Sequence, residues 1–244
     1  MKSFKSPVEV EVAKNIERLF NNSNDSIETK LDNFPKYVRR QHLKRFLAMY
    51  EVFKLILPIK GSIVECGVHR GFSLMTWAKL STILEPENLT RRIYGFDTFE
   101  GFPSIHACDR SRSGTAEPGQ FQTNSYDELL SLIEEYNKDR FLGHIPKVEL
   151  IRGDARRTIP EFVEKNRHLL VSLLFLDFDL YEPTKEALEH FAPRMPKGAV
   201  VAFDELDNPI WPGETEAMLK CFPINRLKIQ RLEWDPYISY AVLE

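Results

Sequence analysis

Val171-Ser-Leu-Leu-Phe-Leu-Asp177-Phe-Asp179-Leu-Tyr181 is an apolar run that breaks into two acids one residue apart. Such a run fits a strand covered on both faces, as strands of parallel sheets are. Carboxylates beside a sheet core are costly unless something positive meets them, so Asp177 and Asp179 mark where the strand leaves the core. The arrangement returns in Gly198-Ala-Val-Val-Ala-Phe203, followed by Asp204 and Glu205. Between the two, Glu182 to Phe191 reads as a helix with Pro183 in its first turn and Ala187, Leu188 and Phe191 on one face. Strand, helix, strand makes one right-handed parallel unit, which brings both acidic ends out side by side at one edge of the sheet.

Outward from this unit the same alternation extends toward the amino terminus. Ser62 to Gly67, Arg92 to Asp97 and Lys147 to Asp154 read as strands, and Phe72 to Leu84 and Tyr126 to Lys138 as helices. The pattern predicts an α/β fold with a doubly wound, mostly parallel sheet. Leu227 to Glu233 and Tyr237 to Leu243 add two strands around Asp235-Pro236, expected as an antiparallel hairpin at one edge, for seven strands in all. Residues 1–60 are read as a helical extension or cap and 61–244 as the main domain. Within the extension, Asn21 to Ser26 separates two weakly helical pieces, and Leu43, Phe46, Leu47, Tyr50, Phe53 and Leu57 recur at helical spacing. Residues 104–124 show little periodicity and are expected to be a mobile lid that orders with ligand.

A length of 244 residues suits one large domain with an extension, and 43% hydrophobic with 28% charged residues is ordinary for a soluble chain. A net charge of −3 gives no reason to expect a nucleic-acid or anionic-membrane partner. Cys66, Cys108 and Cys221 are widely spaced and form no CxxC pair, which argues against a disulfide framework or a zinc knuckle. The first residues, Met1-Lys-Ser-Phe-Lys-Ser-Pro7, carry no apolar signal core, and the reading is cytoplasmic with no membrane anchor. The helical extension is compatible with a homo-oligomer contact as well as with a pocket cover.

The chemistry lies in the acids. Each parallel strand ends in one or two: Glu65, Asp97, Asp154, Asp177 with Asp179, and Asp204 with Glu205. Open α/β sheets bind ligands outside the carboxyl ends of their strands. Carboxylates crowded along that edge repel one another unless a cation or hydroxyl donors sit among them. Glu65-Cys-Gly67-Val-His-Arg70-Gly71 lacks both the GxGxxG spacing of a dinucleotide site and the GxxxxGK of a phosphate loop. Glu65 would oppose an anion but could hold an ammonium group, with Gly67 and Gly71 allowing close backbone approach and the following helix start taking a carboxylate. Asp97 is placed to accept ribose hydroxyls and Asp154 the exocyclic amine of an adenine. Together these describe S-adenosylmethionine, with Arg70 and Gly153 in the turns beside it.

Asp177, Asp204 and Glu205 offer only hard oxygen ligands, which suit Mg²⁺, Ca²⁺ or Mn²⁺ and not zinc. A cation there would lower the pKa of an acceptor hydroxyl, and Asp177 or Asp179 could take its proton. Asp179 has a plainer alternative as a cap of the helix near Pro183. His69 and His106 lie in nearby loops with no partner at metal-ligand spacing.

Four stretches carry a resemblance: Ile63-Val-Glu-Cys-Gly-Val-His-Arg-Gly71, Gly95-Phe-Asp-Thr-Phe-Glu-Gly-Phe-Pro103, Asp177-Phe-Asp-Leu-Tyr-Glu-Pro-Thr184 and Gly198-Ala-Val-Val-Ala-Phe-Asp-Glu205. From about Gly61 to Ala217 the chain resembles the macrocin O-methyltransferase (TylF/MycF-type) family. The resemblance implies a class I S-adenosylmethionine-dependent methyltransferase (Rossmann-like) fold and Mg²⁺-dependent methylation of a sugar hydroxyl. The acceptor would be a deoxysugar on a natural product such as an antibiotic, or one linked to a nucleotide. By motif position it implies Asp177, Asp204 and Glu205 as metal ligands, Asp177 as base, and Glu65, Gly67, Ser73, Asp97 and Asp154 as cofactor residues. The second metal strand departs from the family's usual pair of aspartates by ending in Asp204-Glu205, and Leu206 to Glu214 departs as well, with Trp211 and Pro212 expected to shape the acceptor pocket. A catechol-like phenol as acceptor, or a non-catalytic cofactor-binding protein, are the competing readings.

Overall fold

The computed structural model describes residues 6–114 and 116–244. Residues 1–5, part of the stretch read as lacking a signal core, and Thr115 of the 104–124 loop lie outside the described residues. The chain divides into two units between Leu47 and Ala48, inside a helix.

In the first unit, α1 (Pro7–Asn22) starts on a capping box, with Ser6 Oγ accepting from the Glu9 N–H at 3.2 Å and the Glu9 carboxylate accepting from the Ser6 N–H at 2.9 Å. Pro7 occupies the first turn, where its missing N–H costs nothing. Ser26 caps the short α2 (Ile27–Asp32), and the polar stretch between the two helices is the expected break. Phe20 meets Tyr37 edge-on at 5.0 Å. The helix α3 (Arg40–Ile56) runs across the boundary into the second unit.

The second unit is built on a sheet of β1 (Ser62–Cys66), β2 (Ile93–Asp97), β3 (Val148–Arg152), β4 (Val171–Leu176), β5 (Val200–Phe203), β6 (Gln230–Leu232) and β7 (Asp235–Val242). Its order is β3-β2-β1-β4-β5-β7-β6. β1 to β5 are parallel and β7 runs antiparallel to both β5 and β6. Strand order reverses between β1 and β4, which puts the switch point of the sheet beside Gly67 and Asp177. The closing hairpin is present, but its long strand is inserted next to β5 and Asp235-Pro236 begin β7 instead of making the turn.

Helices α4 (Phe72–Leu84), α5 (Tyr126–Lys138), α6 (Ala155–Lys165), α7 (Tyr181–Phe191) and α8 (Pro212–Cys221) complete the unit. Val64, Cys66, Tyr94, Phe96, Leu174, Leu176, Val201 and Phe203 point to one face, where Ile159, Phe162, Leu188, Phe191 and Met218 of α6, α7 and α8 cover them. Alternate residues point to the other face, where Trp77 of α4 stacks on Phe53 at 6.4 Å and meets Phe175 at 5.6 Å. Both faces of β1, β2, β4 and β5 are therefore sealed, while the edge strands β3, β6 and β7 are partly exposed. Among the described residues no helix is long and apolar enough to cross a membrane.

Candidate active site at the carboxyl edge of the sheet

The register Leu176↔Phe203 makes Asp177 and Asp204 the next residues of two neighbouring strands. The Asp177 N–H donates to Cys66 O at 2.8 Å and the Asp204 N–H to Leu176 O at 3.0 Å, so the ends of β1, β4 and β5 are stitched together. Gly67, at φ +102°, sits so close to this seam that a Cβ would lie 2.0 Å from the Asp177 carbonyl oxygen. The fold itself therefore requires glycine there, whatever ligand approaches. Asp179 has φ +62°, a conformation that non-glycine residues seldom take. Leu180, not Asp179, is the cap of α7, with no side-chain capping bond. His69, Phe99, Phe121 and Asp207, in the segments after β1, β2 and β5, also have positive φ. Backbone held in this way clusters at functional sites.

Glu205 is fixed at both ends. Its N–H donates to Glu214 Oε1 at 2.9 Å, and its Oε2 accepts from Asn208 Nδ2. Glu214, a residue the sequence reading passed over, is fully buried. Burial pushes its carboxyl well above the usual range; the Glu205 N–H opposes the rise, and the charges of Asp204, Asp179 and Glu205 add to it. Among the described residues, no three His, Cys, Asp or Glu side chains are gathered so as to hold a metal ion. Strand register sets Asp177 beside Asp204, and the Glu205 carboxylate accepts from Asn208. The donors are all carboxylate oxygens, which fit a hard divalent ion in type.

On the other side of the switch point the acids are occupied by the protein. Asp97 Oδ2 accepts from the Val68 and His69 N–H groups at 2.9 and 2.7 Å, and Oδ1 from the Phe99 N–H at 2.7 Å. Asp97 thereby shapes the turn after β1. Asp154 caps α6 through the Arg156 N–H at 3.0 Å and is gripped by the Arg156 guanidinium, whose hydrogen bond holds the carboxyl below its usual value despite partial burial. Glu65, expected at a strand end, lies inside β1 and is fully buried, in register with Gly95 and Phe175. Gly71, at φ +82°, opens α4 against Leu129, and Ser73 is buried in the first turn. Gly153, at φ +138°, donates its N–H to Asp97 O at 2.9 Å. Arg70 is exposed and lines a cavity of about 750 Å³ with Gln122, Thr123, Asn124, Ser125 and Glu128.

The 104–124 stretch, expected to be a mobile lid, makes several contacts through its described residues. Phe102 and Gln120 pair through their backbones at 3.0 Å, and a 3-10 turn at Ala107–Asp109 carries a buried anchor. Asp109 accepts from the Tyr181 N–H at 2.6 Å and from the His106 N–H at 2.7 Å. Phe102 and Phe121 pack on Trp211, each at 5.8 Å, and Ser111 Oγ donates to Pro209 O. Trp211 therefore belongs to a wall formed jointly with this loop. His106 stacks on Tyr181 at 4.8 Å, and its Nδ1 accepts from the Cys108 N–H.

Known proteins share this architecture. A curated protein of Streptomyces olivaceus, 8-demethyl-8-(2,3-dimethoxy-alpha-L-rhamnosyl)-tetracenomycin-C 4'-O-methyltransferase, is 28% identical over 155 residues, 60% of this chain. The match spans about half, 53%, of that relative's length. The crystal structure of CalS11, a calicheamicin methyltransferase, is 37% identical with a TM-score of 0.94, covering 98% of this chain and 94% of that one. The apo structure of CalS11, described as a TDP-rhamnose 3'-O-methyltransferase of calicheamicin biosynthesis, is 35% identical with a TM-score of 0.86, covering 98% and 96%. The fold is that of the class I S-adenosylmethionine-dependent methyltransferases. The macrocin-O-methyltransferase (TylF) family model matches residues 38–222, most of the sheet and the whole carboxyl edge, and the chain belongs to that family.

Proposed function

We propose that this chain transfers a methyl group from S-adenosylmethionine to a hydroxyl of a deoxysugar, nucleotide-linked or carried on a natural product. Mg²⁺ or another hard divalent ion would be held by Asp177, Asp204 and Glu205. Family membership supports the reaction class, and the rhamnose chemistry in the relatives' names supports the acceptor class. The observation that carries the reading is the pair of neighbouring strand ends presenting Asp177 and Asp204 in front of the buried Glu214. Carboxylates brought together at one edge of the sheet favour a cationic ligand there.

When bound, the sulfonium donor supplies an electrophilic methyl group, and a hard cation makes a neighbouring hydroxyl more acidic. The chain's residues do the rest. Asp177 or Asp179 accepts the hydroxyl proton. Glu65, Gly67, Arg70, Gly71, Ser73, Asp97, Gly153 and Asp154 form the donor side. A carboxylate offers about four acceptor positions. Asp97, with three amides already on it, has room for one ribose hydroxyl instead of the two expected. On Asp154 an adenine amine would share the carboxylate with Arg156. The polar lining of the cavity beside Arg70 favours a hydroxylated ligand over a flat phenol.

The test is methyl transfer to TDP-linked deoxysugars and to rhamnosylated natural products, with Mg²⁺ and with EDTA. The reading expects turnover that EDTA stops and Mg²⁺ restores. Cofactor binding without turnover on either acceptor class would sink the enzyme, and full turnover in EDTA would remove the cation.

A further inference from the structure

The segment after β5 is braced from behind by the helix it leads into. Glu214 sits in the first turn of α8, fully enclosed, with Oε1 on the Glu205 N–H at 2.9 Å. Its Oε2 is also enclosed and has no hydrogen-bond partner. The charges acting on it are those of Asp204, Asp179 and Glu205. An enclosed polar atom left unmatched costs about 1–3 kcal/mol, so Glu214 is not there for stability alone. What it provides is a fixed Glu205. A glutamate has one more rotatable bond than an aspartate, and anchoring its backbone removes freedom that would otherwise be lost on binding a ligand.

The brace cannot easily give way. A Cβ on Gly213 would lie 2.1 Å from Asp109 Oδ1 and 2.5 Å from the Tyr181 nitrogen, so the start of α8 is wedged against the start of α7. On its outer side the segment is tied by the Asp207 N–H to Thr215 Oγ1 at 3.0 Å and by Asn208 Nδ2 to the Glu205 carboxylate.

We infer that Glu214 is a positioning residue for the cation: through the Glu205 N–H it sets where the Glu205 carboxylate stands relative to Asp177 and Asp204. Asn208 Nδ2 donates to the same carboxylate. The inference rests on the cation-dependent reading above, and its test separates the two.

Mn²⁺ binding to the full chain is measured by calorimetry without cofactor or acceptor, for the wild type, Glu214→Gln and Glu214→Met. Glutamine keeps an acceptor for the Glu205 N–H, while methionine fills similar space and offers none. The expected result is near wild-type affinity in Glu214→Gln and a loss of about tenfold or more in Glu214→Met. S-adenosylmethionine affinity should be unchanged in both, and amide exchange over residues 203–208 should be faster only in the methionine variant. Equal Mn²⁺ affinity in Glu214→Met and wild type would overturn the inference and leave the cation standing. An equal loss in both variants would overturn it too, because charge and not position would then be the contribution. No Mn²⁺ binding to the wild type would end both. If Glu214→Met does not fold, the wild type still decides: Mn²⁺ should slow exchange over residues 203–208 and not over 148–154, and equal effects on both segments would overturn the assignment.

Discussion

The two edges of the sheet treat buried charge in opposite ways. At the amino edge, Arg91 just ahead of β2 and Lys147 just ahead of β3 are 2% and 5% exposed. Arg91 commits its guanidinium to the protein, donating to Ile56 O at 2.9 Å, Ile59 O at 3.0 Å and Gly61 O at 3.1 Å, and pairing with Glu85 at 2.7 Å. It ties the end of α3 to the sheet. Lys147 Nζ donates to Asn88 O at 2.6 Å. At the carboxyl edge the charges are acids; on the β2–β3 side Asp97 is answered by amides and Asp154 by Arg156. On the β4–β5 side Glu214 keeps an oxygen with no hydrogen-bond partner among other acids. Charges matched within the chain hold the fold together; a fully buried carboxyl with other acids around it marks a candidate functional site.

If that division is right, changes at the two edges should be separable. Asp177→Asn should lower kcat by about 10² to 10⁴-fold, the usual weight of a proton acceptor. Its S-adenosylmethionine affinity should stay close to wild type, because the proposed donor side lies across the switch point. A matching loss of cofactor affinity would merge the two halves of the edge into one unit. Arg91→Met should do the reverse. It strands Glu85 and several carbonyls, which is expected to remove about 3–5 kcal/mol of stability in urea unfolding, while kcat of the folded fraction holds. A loss near zero would mean that the amino edge is not where the fold is secured.

Lys147 sharpens the same contrast through pH. Burial lowers its ammonium from 10.5 to about 8, with Glu85 opposing and Arg140, Arg91 and Arg92 adding to the fall. Above pH 10.5 neither state carries the proton. As pH falls from there to about 8 only the unfolded chain takes it up, so folded stability drops across that window and is level below it. Relative to Lys147→Met, the wild type should therefore lose up to roughly 3 kcal/mol between high pH and neutrality. A pH-independent difference between the two proteins would show that Lys147 stays charged in the fold.

The sheet and its helices were legible because their signals are local. The runs at 171–176 and 200–203 end in acids that mark the strand ends to within a residue, and the apolar face of 182–191 is the one that packs. Glu65 misled because an acid in Ile63-Val-Glu-Cys66 looks the same whether it ends a strand or is enclosed in one. Asp154 is expected to accept an adenine amine, and the arginine that grips it follows two residues later and could equally have pointed to solvent. Glu214 carried no signal, since an acid in a helix's first turn usually answers the helix dipole. Its burial follows from where α8 packs, and the neighbouring Gly213 lies against Asp109 and Tyr181, both far away in sequence. The 104–124 loop was opaque for the same reason: its order comes from Trp211, Pro209 and Tyr181, and no local period records those contacts.

That loop yields the smallest effect and the one that tests most directly whether the acceptor side is built in advance. Asp109 is buried with one oxygen on the Tyr181 N–H and the other on the His106 N–H. Burial raises its carboxyl while those two bonds draw it back down. Gly213 lies against Oδ1, so the site closes around the carboxylate. Asp109→Ala strands two buried amide donors and should cost about 1–3 kcal/mol. Because the anchor joins the loop to the start of α7, the loss should show first as local opening. Residues 104–124 should become more sensitive to protease without cofactor or acceptor, before any change in the global unfolding midpoint. A lid that orders only around its ligand predicts otherwise: unliganded wild type and Asp109→Ala would be cut at the same rate. Equal rates would support the mobile lid, and a faster cut in the variant would show that Asp109 fixes the wall around Trp211 before any acceptor arrives.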